Sequence, residues 1–301
     1  MQQNLAILPR PRIIPPKPLT PKIPTPKRLP QSAKYMTIVF GILQSDGILF
    51  AADTEETGEH LRFSTPKLYS YSRDNGENLV IGGAGSVPSV ETLHQRLGKS
   101  FLAESESFEE AAEAIIKQFY DEHVVNHPDQ DFWLIFGGSF KIGEDKYQHR
   151  LWVSEHGEVR DAGGIAAIGA GKEVARNVLK QYPLAPPHSD AELTAVHILR
   201  LVKEQAHYCG KENMVWTVSG PDIRKMPDKH AETAEELSKE IDRLNGLVFQ
   251  GLFGSDIMLR MANSKLTNLR AAYAKLRHDL EEHYAIEEDM ERYFRDNPDK
   301  F

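Results

Sequence analysis

Thr37-Ile38-Val39-Phe40-Gly41-Ile42 and Asp46-Gly47-Ile48-Leu49-Phe50-Ala51-Ala52-Asp53 read as two β-strands joined by an Asp-Gly turn. Thr37 opens the first strand and Asp53 closes the second. Inside a chain, a threonine at a strand's start carries an ordinary hydroxyl. Once everything before it is removed, the freed α-amine takes the hydroxyl proton and the residue becomes a nucleophile with its own general base. What precedes Thr37 therefore decides its chemistry.

Residues 1–35 hold nine of the 18 prolines and seven Lys/Arg, with no Asp or Glu. Proline at this density forbids a helix or a central strand, so the segment is expected to be extended and solvated, with polyproline character. It reads as a disordered tail, a pro-segment, or a Pro-x-x-Pro ligand for an aromatic groove. No apolar core follows its basic residues, so it is not a secretory signal. Met36 precedes Thr37 directly. Translation from Met36 or proteolysis at Met36–Thr37 would each leave a small residue near or at the new terminus.

With that segment set aside, the remainder of the 301 residues suits one domain of ~180–190 residues plus an appendage. The formal charge is −8 overall, and from residue 36 onward 29 Lys/Arg face 44 Asp/Glu, a balance of −15. Nucleic-acid binding needs a concentrated basic patch, so that class is set aside and an acidic, cytoplasmic protein is expected. The single cysteine, Cys209, excludes an internal disulfide and a multi-cysteine zinc site. The 12 histidines show no ligand spacing, no cofactor is implied, and no apolar run approaches membrane-spanning length.

Beyond the first hairpin, strands are expected at 66–71, 79–85, 132–137, 150–154, 165–168 and 213–218. Helices are expected at 87–103, 108–125, 172–181 and 191–206. This order suggests two sheets packed on each other and covered by helices.

In that order, the blocks Thr37–Asp53, Lys67, Gly83-Ala84-Gly85-Ser86, Ala167-Ile168-Gly169-Ala170-Gly171 and Asp190-Ala191-Glu192 resemble proteasome β-type subunits, members of the N-terminal-nucleophile hydrolases. The resemblance covers residues 37 to about 220. It implies an α+β, four-layer αββα sandwich for residues 37–222, assembly into homo-oligomers that are rings in that family, and a threonine peptidase acting on peptide or other amide bonds. Four positions carry over: Thr37 as nucleophile, Lys67 as the ammonium that keeps the threonine's amine neutral, Asp53 as the carboxylate that holds that lysine, and Gly85 as an oxyanion-hole N–H. The segment between Asp53 and Lys67 is about two residues shorter than the family's. Ala170 stands where the family has a serine, Met36 where it has glycine, and His207-Tyr208-Cys209-Gly210-Lys211-Glu212-Asn213 lacks its late Asp and Ser-Gly-Gly. Cys209 reads as a small packed residue rather than a nucleophile.

After Gly220 the resemblance stops. In 229–301, Leu237, Ile241, Leu244 and Val248 form one stripe, and Ala262, Leu266, Leu269, Tyr273, Leu276 and Leu280 form another. They predict a helical hairpin or one long bent helix that either packs on its own core or makes a coiled-coil contact with another subunit or partner. Two functions remain open: a threonine amide hydrolase released by loss of residues 1–36, and a catalytically silent proteasome-like subunit with a structural or partner-binding role.

Overall fold

The first sheet is laid out in the order β10-β1-β2-β11-β12, every neighbouring pair antiparallel. Its strands are β1 (Ile38–Leu43), β2 (Ile48–Asp53), β10 (Ile165–Gly169), β11 (Asn213–Ser219) and β12 (Asp222–Lys225). The structure is a computed structural model. It describes residues 37–57, 62–103, 107–144, 146–180, 188–206, 209–210, 212–254 and 256–296. The expectations for residues 1–36 lie outside these, as do His207, Tyr208 and Lys211 of the stretch that lacks the late Asp and Ser-Gly-Gly.

A second antiparallel sheet follows the order β5-β6-β7-β8-β9: Leu68–Ser72, Asn78–Gly85, Phe132–Lys141, Tyr147–Glu155 and Glu158–Asp161. A short pair, β3 (Glu55–Thr57) and β4 (Arg62–Ser64), stands apart. The six helices are α1 (Val87–Leu102), α2 (Phe108–Phe119), α3 (Lys172–Leu179), α4 (His188–Gln205), α5 (Asp228–Gly254) and α6 (Asp256–Asp296). A π-helical turn at Tyr120–Val124 continues α2.

The near-continuous apolar runs of β1 and β2 follow from burial on both faces. Ile38, Phe40, Ile42, Leu49 and Ala51 join the α3 and α4 residues Ala175, Val196, Leu199 and Val202 in one core. The alternate residues Val39, Ile48, Phe50 and Ala52 instead meet Val80, Ile135 and Leu151 of the second sheet. That sheet's other face carries α1 and α2 through Leu93, Phe101, Phe108 and Phe119. There the Phe136 and Trp152 rings stack with centroids 5.5 Å apart, and Phe108 meets Phe136 edge-on at 6.2 Å.

Helices α5 and α6 pack against the α4 side. Ala231, Ala234, Leu276, Leu280 and Tyr284 belong to the same core as β1 and α4. Polar pins fasten the contact: Ser238 of α5 lies 2.6 Å from His197 Nδ1 and accepts from Arg200 Nε at 2.6 Å. Buried Glu192 accepts from Thr217 of β11 at 2.8 Å and from the Tyr284 hydroxyl of α6 at 3.0 Å. Burial pushes the Glu192 carboxyl up to about 7 despite those two donors and the Arg224 charge.

Four strands were not expected from the sequence, namely the β3–β4 pair and the edge strands β9 and β12. Strands β7 and β8 also run further than their apolar runs. Glu158-Val159-Arg160-Asp161 and Asp222-Ile223-Arg224-Lys225 are short and charged because they border solvent, which erases the hydrophobic signature of a strand.

Candidate active site

At the end of the first sheet, the start of β1 lies beside the end of β2, because the hairpin pairs Val39 with Ala52. Thr37 is buried there, and its hydroxyl donates to Asp53 Oδ1 at 3.0 Å. The same oxygen accepts the Ile38 N–H at 3.0 Å, and Asp53 Oδ2 accepts the Gly210 N–H at 3.0 Å. Fully buried, Asp53 is raised to about 6 by desolvation. The Ile38 and Gly210 amides, the Thr37 hydroxyl and the Lys67 charge all oppose that rise.

Lys67 is buried immediately before β5, and the Gly83 N–H on its carbonyl, at 3.2 Å, ties that segment to β6. Its charge acts on Asp53, so the structure brings Thr37, Asp53 and Lys67 into one electrostatic neighbourhood. Gly85 stands at the end of β6, in the second sheet. It adopts φ +109°, and a Cβ there would meet the Asp131 carbonyl oxygen at 2.6 Å, so the position admits only glycine.

Gly169 stands directly across from Ile38 at the end of β10. It has φ +87°, and a Cβ on it would sit 2.2 Å from the carbonyl oxygen of Thr37. Ala170 follows, with no hydroxyl to offer.

Two contributors were not singled out from the sequence. Gly210 supplies a backbone donor to Asp53, and Glu55 brings a backbone oxygen to 3.5 Å from the Thr37 hydroxyl. A main-chain group leaves no trace in residue type, and only the strand-end geometry shows either one. Cys209 is buried beside them. Desolvation first, then the Asp53 and Glu55 charges, pushes its thiol far above the usual range, which favours the protonated thiol over the reactive thiolate. Among the described residues, no group of three or more His, Cys, Asp or Glu is placed to hold a metal ion, and no helix is long and apolar enough to cross a membrane.

Solved structures of similar fold include Anbu (ancestral beta-subunit) from Yersinia bercovieri, with a TM-score of 0.61 at 16% identity over 73% of this chain and 99% of that one. In fold, the chain is similar to Anbu. The helical assembly of the Anbu complex from Pseudomonas aeruginosa gives a TM-score of 0.61 at 14% identity, over 73% of this chain and 98% of that one. An Anbu (Gly-1) mutant from Hyphomicrobium sp. strain MC1 gives 0.58 at 15%, over 73% and 99%. No protein-family model matches the chain, and no curated protein does.

These neighbours correct the expectation of a proteasome β-type subunit: Anbu is proteasome-like but a distinct family. The blocks that carried the resemblance misled for a physical reason. Gly85 and Gly169 are demanded in this chain by backbone geometry at strand ends, so their presence reports local backbone shape and does not single out one family.

Proposed function

We propose that the chain is an N-terminal threonine amide hydrolase, a proteasome-like peptidase acting through Thr37 after residues 1–36 are removed. In this reading residues 37–222 form the hydrolase domain, a four-layer αββα sandwich, and 229–301 form a helical appendage. The observation that carries it is the buried 3.0 Å bond from the Thr37 hydroxyl to Asp53, within reach of the Lys67 charge.

Removal of the preceding segment would free the Thr37 α-amine. The Lys67 ammonium disfavours a second positive charge nearby, so that amine stays neutral and accepts the hydroxyl proton as Oγ1 attacks the amide carbonyl. The Gly85 N–H is the proposed donor to the oxygen that gains charge. The C–N bond breaks as the amine leaves with the proton, and an ester to Thr37 remains. Water, deprotonated by the same α-amine, releases the acid and restores the hydroxyl.

Self-association goes with this reading, since one structural neighbour is described as a helical assembly. The chain is proposed to form homo-oligomers.

Ala170, which offers no hydroxyl beside the nucleophile, favours a second reading: a catalytically silent proteasome-like subunit with a structural or partner-binding role. One experiment separates the two. Intact mass of natively expressed protein is expected to begin at Thr37, and a threonine-reactive electrophile is expected to label it but not the Thr37→Ala variant. A full-length mass with no labelling, in a well-formed oligomer, selects the silent subunit.

A further inference from the structure

The C-terminal end of α6 outruns the core. Tyr284 is buried, yet none of the described side chains after it is, although the helix continues for about three more turns to Asp296. That end carries large apolar residues in the open: Ile286 is 53% exposed, Met290 51% and Tyr293 49%. Spacings of four and then three residues place them in a single stripe. Exposed Glu282 and Asp289 flank the stripe, two helical turns apart. Asp289 has Arg292 at 3.5 Å, an exposed pair of little worth.

A complementary surface lies earlier on the same helix. A groove of about 580 Å³ runs between α5 and α6 beside α4, lined by Leu193, Ile241, Leu244, Leu266, Leu269 and Tyr273. Arg270 and Arg277 line it as well, and they too stand two turns apart. Suppose a second copy's stripe is laid antiparallel, with its Asp289 opposite Arg270 and its Glu282 opposite Arg277. Its Ile286 then falls opposite Tyr273, its Met290 opposite Leu269 and its Tyr293 opposite Leu266. One register satisfies the charges and the apolar positions together. A parallel alignment of the same charges sets Met290 against His278 and Tyr293 against Glu281, neither of which lines the groove.

We propose that the groove between α5 and α6 receives the C-terminal stripe of α6 from a second copy of this chain. Burial of the three apolar side chains supplies the affinity, and the arginine–carboxylate pairs fix the register. At about 100° per residue, the stripe and the groove residues face roughly opposite sides of α6, so two copies cannot exchange both contacts at once. The contact is therefore head-to-tail. It leaves an open groove at one end and an open stripe at the other, and it propagates into a ring or an open helical array. The proposal rests on the self-association proposed above and names its surfaces. It does not require Thr37 to be reactive.

The test is sedimentation velocity of the full chain over a range of concentrations at about 150 mM salt. The parent is expected to sediment as an oligomer. Ile286→Ser/Met290→Ser is expected to weaken association about tenfold or more, and so is Arg270→Glu/Arg277→Glu. The serine variant changes only exposed side chains, so it keeps the test sound if the arginine variant fails to fold. Adding Glu282→Arg/Asp289→Arg to the arginine variant is expected to restore association, because the pairs are then reversed rather than broken. Mixing the serine variant, whose groove is intact, with the arginine variant, whose stripe is intact, is expected to regain a complex that neither forms alone. A parent that is monomeric up to about 100 μM overturns both this proposal and the self-association it rests on. A parent oligomer that the serine variant leaves unchanged overturns this proposal alone, as does a failure of the two folded variants to combine.

Discussion

The Thr37 hydroxyl and the Ile38 amide converge on one oxygen of Asp53, each at 3.0 Å, so a single carboxylate orients both the side chain and the strand that presents it. That geometry couples the protonation state of Asp53 to the Thr37 hydroxyl. A neutral Asp53 would have to share its proton among positions already occupied by donors.

The first prediction is a pH profile. Burial raises Asp53 from 3.8 to about 6, so the folded chain holds this proton until the pH passes about 6, and ionised Asp53 is available only above that. The rate of Thr37 labelling is expected to rise about tenfold between pH 5 and pH 7, and Asp53→Asn is expected to lower the pH 7 rate by about 10²-fold. A profile flat across that interval would show that Asp53 does not govern the hydroxyl.

Glu192 gives a stability prediction of definite sign. Its folded value, about 7, lies above the ordinary 4.5, so its stabilising contribution is present below about 4.5 and is lost as the pH climbs through 7. The neutral Glu192→Gln variant keeps a partner for Thr217 and Tyr284 without that loss. Relative to the parent it is expected to gain up to about 3 kcal/mol at pH 8 and little at pH 4.5. Thermal melts of both proteins at the two pH values read this directly, and a gap independent of pH would refute it.

Two glycines beside Thr37 and Asp53 should respond differently to alanine. A Cβ on Gly169 meets the rigid Thr37 carbonyl oxygen at a left-handed φ, whereas a Cβ on Gly210 meets Glu55 Oε2, the far end of a flexible side chain. Gly169→Ala is expected to cost about 3 kcal/mol or more and to abolish labelling. Gly210→Ala is expected to cost about 1 kcal/mol as Glu55 swings aside. Denaturant unfolding of the two variants should reproduce that order.

Leu280 of α6 is fully buried in the core that also holds Ile38 and Phe40, while Leu252 near the end of α5 is 67% exposed. Leu280→Ala is expected to cost about 3 kcal/mol and Leu252→Ala less than about 0.5. Equal losses in thermal stability would mean that α6 does not share the core.

Much of the fold could be read from residue order, and the reason differs by element. The hairpin 37–53 announces itself through two apolar runs around Asp46-Gly47, since both faces of β1 and β2 are covered. Helix α2 is legible from Phe108, Ala112, Ile116 and Phe119, which space along one buried face. Edge strands β9 and β12 were hidden because charged residues border solvent there. The β3–β4 pair was hidden because three residues per strand are too few to show a period.

The amino-acid sequence alone determined the sheets' interior strands and the main helices, because apolar periodicity is a local property, and the candidates Thr37, Asp53, Lys67 and Gly85 came from the family resemblance its blocks carry. Only tertiary structure decided what surrounds Thr37: the Gly210 amide on Asp53, the Glu55 carbonyl near the hydroxyl, and the Gly169 approach to the Thr37 backbone. Two of those contacts, from Gly210 and Gly169, join segments more than a hundred residues apart, and all three run through main-chain atoms, which every residue carries alike. Their roles exist only once the strand ends are brought together.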